Sequence, residues 1–86
     1  MKLYQAEMLA TSLAGHDKGK RYVVLEQEND CLYLVDGSTK LLAHPKKKNQ
    51  KHVQLIKHLS AELTDRMSKI RDDADVRKIL KLYESL

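Results

Sequence analysis

The hydrophobic period of this chain changes near residue 57, and that change constrains the fold more than any motif does. Before it, apolar residues come in short β-type segments separated by turn signals, as in residues 21–27 and 31–35. After it, Leu59, Leu63, Met67 and Ile70 fall at the spacing of one helical face. No Gly/Ser-rich linker separates the two parts. The pattern predicts an α+β chain: a small, strongly bent antiparallel sheet or barrel over residues 1–57, then one or two C-terminal helices over 58–86. The 86 residues include no Trp and no Phe, so the core must be built from Leu, Val, Ile and Met.

The strands are expected at residues 7–12, 21–27, 31–35, 40–43 and 52–56. Gly15 to Gly19 forms the first turn, and Glu28, Asn29 and Asp30 make a polar second one. Asp36-Gly37 is a hairpin signal, because Gly tolerates positive φ. Pro45 should end the fourth strand, since it cannot donate to a ladder, which leaves the lysines after it in a loop. In the second part Ser60 can cap the first helix, and Asp72 or Asp73 can cap another over residues 74–84. Glu62 with Arg66 and Asp65 with Lys69 are i,i+4 pairs in the favourable order. Val76, Ile79, Leu80 and Tyr83 make the stripe of the second helix. Both stripes are expected against the barrel or each other; a partner groove is the alternative.

The net charge is +4, but its placement says more than its size. Between Asp36 and Glu62 there is no acidic residue, while Lys40, Lys46, Lys47, Lys48, Lys51 and Lys57 all fall there, with His44, His52 and His58. Segregated positive charge suits a polyanionic partner, although a charge run can equally be a solvated face. No apolar run approaches the ~20 residues that span a bilayer, the N-terminus lacks a signal-peptide core, and the lone Cys31 excludes an internal disulfide. The expectation is a soluble cytoplasmic protein that does not act on membranes. Cys31 itself is expected as a small buried apolar residue.

Catalytic signatures are missing, so a non-enzymatic role without a cofactor is expected. The histidines are too loosely spaced for zinc and sit among lysines, so no metal is expected. The segment AGHDKGKRYVV, residues 14–24, looks at first like a phosphate loop. Its glycines are one residue too close for a Walker loop, Arg21 stands where the hydroxyl should follow, and a strand rather than a helix comes next. A calcium-loop pattern is absent too. What remains is a strand-to-strand turn in which Gly15 and Gly19 supply positive φ and Lys18, Lys20 and Arg21 form a basic tip.

Starting at Glu7, EMLATSLAGHDKGKRYVVLEQENDCLYLVDG resembles the KOW motif. More narrowly, it is similar to bacterial RNA-binding proteins related to the archaeal and eukaryotic large-subunit ribosomal proteins with a KOW domain. The matching residues are Ala14, Gly15, Asp17, Lys18, Gly19, Lys20, Val23 and Val24, followed by Asp36-Gly37. A second match is HPKKKNQKHV, with Asn49 and His52 in the family's Asn and His positions. His16 replaces the usual Arg, and Glu7 the usual Gly. The resemblance covers the chain to about Ile56. It implies an SH3-like barrel, RNA binding and association with ribosomal RNA or the ribosome.

The candidate RNA-binding residues are therefore Lys18, Lys20, Arg21, Lys46, Lys47, Lys48, Asn49, Lys51 and His52, around the structural turns at Gly15, Gly19, Asp36 and Gly37. Lys supplies non-specific attraction, while Asn49 and His52 could bond base edges, 2′-hydroxyls or phosphates. Tyr22 and Tyr33 could stack on bases, but a Tyr in a small barrel more often covers the core. About five neutralised phosphates would give a log–log salt slope of roughly −3.5 to −4.5. The competing reading is a protein–protein adaptor in translation or transcription that holds its partner with the amphipathic tail.

Overall fold

The structure, a computed structural model, describes residues 3–86. Five strands form one antiparallel sheet: β1 (Met8–Ser12), β2 (Arg21–Glu28), β3 (Cys31–Val35), β4 (Lys46–Asn49) and β5 (Val53–Ile56). Their order is β4-β3-β2-β1-β5, so β4 and β5 are the two edges. A 3₁₀ turn of three residues, Gln50–His52, is all that joins those edges. So short a link forces the sheet to curl into a half-barrel. A register shift between Val24 and Glu26 helps, since an extra residue in one strand bends it.

Alternation along the strands gives the sheet two apolar faces. Ala10, Tyr22, Val24, Leu32, Leu34 and Val53 line the inner one. Leu9, Val23 and Val35 point the other way, onto helices α1 (Ala61–Met67) and α2 (Asp73–Glu84). There they meet Leu63, Met67, Ile70, Val76 and Ile79, all nearly inaccessible to solvent. Sheet and tail thus share a core, and the helical stripes are spent inside this chain. A molecule touching the tail meets its polar outer face.

Both helix starts follow the expected chemistry. The Leu63 N–H donates to Ser60 Oγ at 3.2 Å, and the Asp75 N–H donates to Asp72 Oδ1 at 3.0 Å. The Glu62–Arg66 and Asp65–Lys69 pairs form at 3.6 and 3.2 Å on the surface.

Three expectations are corrected. First, residues 40–43 are not a strand. The Asp36 carboxylate folds the segment back by accepting from Ser38 N (2.9 Å), Thr39 Oγ1 (2.7 Å) and Lys40 N (2.8 Å). The Leu42 N–H, which a ladder would need, goes to Asp73 Oδ1 at the start of α2, 2.8 Å away. Second, Pro45 does not close a strand; it precedes β4, and the lysines after it are strand rather than loop. They pair with β3 in the register Leu34–Lys46, Tyr33–Lys47, Leu32–Lys48 and Cys31–Asn49. Third, Cys31 is half-exposed instead of buried, because it lies at the strand end opposite Asn49. The expected turns remain: Gly15, Gly19 and Gly37 have φ of 88°, 89° and 79°.

Candidate nucleic-acid interface

Because β4 is a strand, its three lysines cannot share one environment. Lys46 and Lys48 stand opposite Leu34 and Leu32 and so point into the half-barrel, whereas Lys47 stands opposite Tyr33 on the outer face. Both inward lysines reach across the sheet to Asp17, in the turn between β1 and β2. Lys46 Nζ lies 2.8 Å from Asp17 Oδ2, and Lys48 Nζ lies 2.9 Å from Oδ1. Lys48 also donates to Ser12 Oγ (2.6 Å) and to the Ala14 carbonyl (2.9 Å), which occupies all three of its N–H groups.

Asp17 is equally saturated. Besides the two lysines, it accepts from Ser12 Oγ at 2.9 Å and from Tyr22 Oη at 2.7 Å. Burial alone would raise its pKa, but the bonds from Lys46, Tyr22, Lys48 and Ser12 outweigh that and hold the carboxyl well below the usual carboxylate range. Burial and the neighbouring Asp17 carboxylate push the Tyr22 phenol up in turn, so it stays protonated and keeps donating. The side chains of Asp17 and Lys48 are only 12% and 11% exposed, against 30% for Lys46. The group is a closed polar clasp between strand β4 and the first turn.

Lys20 is also engaged. It pairs with Asp36, bonds Thr39 Oγ1 at 3.0 Å and lies 5.5 Å from the Tyr22 ring centroid. Asp36 is buried, which would raise its pKa, but Lys20, Thr39 and the N–H groups of Lys40 and Ser38 bring it well below the usual range. Arg21 is half-buried, with its guanidinium 5.2 Å from the Tyr83 ring centroid.

Lys18, Lys47 and Lys51 differ from these. All three are exposed, and among the described residues none lies within ion-pair distance of a carboxylate. Asn49 is half-buried and uses Oδ1 to accept the Lys51 N–H at 3.0 Å, capping the 3₁₀ turn. His52 and His16 are exposed. Tyr22 is buried in the inner core, while Tyr33 is half-exposed beside Lys47.

The structure therefore brings the nine candidates into the first turn, the start of β2, β4 and the 3₁₀ turn, but places them in different environments. Sequence reasoning missed Asp17 as the hub. The signal depends on placing the lysines in a strand: there the first and third residues of Lys-Lys-Lys share a face, and two lysines on an apolar face need a carboxylate. No protein-family model matches this chain, and no curated protein matches it significantly.

Proposed function

We propose that this is a cytoplasmic, non-enzymatic RNA-binding protein of KOW type that docks on ribosomal RNA or the ribosome. The half-barrel is read as SH3-like. Its strand order, the 3₁₀ turn before β5 and the return of β5 to pair with β1 support that reading. One observation carries the function: Lys18, Lys47 and Lys51 are exposed cations without acidic partners among the described residues, and two of them lie in a stretch lacking any Asp or Glu. Unneutralised lysines displace counterions from a phosphate backbone, which drives sequence-independent binding. His52 and the amide of Asn49 add hydrogen-bonding groups beside them.

At about 0.7 per phosphate on a single strand, these three lysines give a log–log salt slope near −2. Lys46 and Lys48 are already bonded and are not counted. The adaptor reading is weaker, because the apolar stripes it would use are buried in the core. Sedimenting lysate on sucrose gradients tests the proposal. Co-migration with large subunits at low salt and release at high salt is expected. Migration at the top of the gradient under both conditions, with no RNA recovered after cross-linking, refutes it.

A further inference from the structure

The turn between β1 and β2 has a second side. There Lys20 and Arg21 meet Arg77 and Lys81 of helix α2 across an open cleft of about 310 Å³. Two carboxylates, Asp36 and Glu84, also line it. Asp36 is already taken up by Lys20, Thr39 and two backbone N–H groups. Arg21, Arg77 and Lys81 have no carboxylate within ion-pair distance among the described residues.

Four observations single this cleft out. Arg77 and Lys81 stand one helical turn apart, where like charges repel unless an anion sits between them. Arg77 spends one N–H on the Gly37 carbonyl and keeps the rest of its fork. The Arg21 guanidinium is held against the Tyr83 ring, yet its buried Nε finds no acceptor. Gly19 forms the rim, and a side chain there would meet nothing within 4 Å, so a ligand can approach the backbone closely. Its N–H already donates to the Ser12 carbonyl at 2.8 Å, so it offers access rather than a donor.

We propose that this cleft binds a phosphate group, and that the group is a backbone phosphate of bound RNA, which makes helix α2 part of the nucleic-acid surface. The planar forks of Arg21 and Arg77 suit phosphate oxygens, and Lys81 adds a point charge. Lys18 and Lys20 share the turn that leads into Arg21 at the start of β2, so one strand could follow the basic residues from β4 to α2. The source of the phosphate rests on the RNA-binding reading above; the anion affinity of the cleft does not.

The test has two arms on the full chain: amide chemical shifts during titration with inorganic phosphate at constant ionic strength, and salt titration of affinity for a short single-stranded RNA. Wild type is compared with K81Q and with R77Q/K81Q. Phosphate should shift the amides of residues 19–21 and 77–81 in wild type and far less in the double variant. The variant's RNA salt slope should flatten by about 0.7 for each phosphate it no longer neutralises. Should Arg77 prove needed for the fold, K81Q alone reads the site, since the Lys81 side chain makes no hydrogen bond or ion pair among the described residues. Shifts no larger than those from chloride overturn the cleft as a phosphate site. Phosphate shifts with an unchanged RNA slope keep the site but overturn RNA as its source, leaving a free phosphate ester. If wild type binds no RNA at all, the functional reading fails while the phosphate arm still decides the cleft.

Discussion

Lys47 and its two neighbours are adjacent in sequence and opposite in use. Lys46 and Lys48 turn inward, meet Asp17 and fasten strand β4 to the first turn. Lys47 turns outward and, like Lys18 and Lys51, meets no carboxylate among the described residues. A run of like charge is thus not one electrostatic object. Strand alternation divides it into a structural half, saturated with hydrogen bonds, and an exposed half still able to bind an anion.

The clasp is the place to break this contrast. Asp17→Ala removes the carboxylate that two lysines share and leaves Lys48 largely buried without a counter-charge. Losing one partner of a buried pair costs about 3–5 kcal/mol, so urea unfolding should show a loss of about 3 kcal/mol or more. Lys48→Ala should cost about 2 kcal/mol, since Asp17 keeps Lys46, Tyr22 and Ser12. Lys47→Ala should stay within about 0.5 kcal/mol of wild type, as surface substitutions do. Equal losses for Lys47→Ala and Lys48→Ala would erase the division.

Two glycines give a parallel contrast, between a crowded position and an open one. Gly37 and Gly19 both have positive φ, so Ala is strained at either by about 1–2 kcal/mol. At Gly37 the added Cβ would also collide with the Asp73 carbonyl oxygen and with Arg77, whereas at Gly19 it meets nothing. Overpacking adds roughly 1–3 kcal/mol, so thermal melts should place Gly37→Ala well below Gly19→Ala. Matching melts would mean that the loop after β3 yields easily.

Acid should act on the closed region first. The folded-state pKa values of Asp17 and Asp36 are depressed, so their stabilisation is fully present above the unfolded aspartate value near 3.9 and drains away as pH falls below it. Unfolding followed from pH 6 to 2 should show an acid limb that is shallower in Asp17→Ala than in wild type. Parallel limbs would contradict the clasp.

Much of this was legible in the sequence, and the reasons for the rest are specific. The strands at residues 21–27 and 31–35 and the caps at Ser60 and Asp72 rest on local preferences that the fold did not override. The misplaced fourth strand shows the opposite case. Residues 40–43 are apolar enough for a strand, but Asp36 and Asp73 take their backbone donors, and Lys46 to Asn49 pair with β3 instead. Strand propensity reveals neither: the Asp36 bond is a local turn that competes with the ladder, and the Asp73 bond, 31 residues away in sequence, depends on where the chain returns. The candidate interface was legible in its residues but not in its division, which required knowing that the lysines lie in a strand.

The most direct test is the salt dependence of RNA affinity for the triple variant K18Q/K47Q/K51Q, measured beside wild type by fluorescence anisotropy. The variant's slope should be flatter by about 2, at about 0.7 per phosphate, with an unfolding midpoint like that of wild type. An unchanged slope would contradict the account, because it would mean that the exposed lysines do not carry the binding.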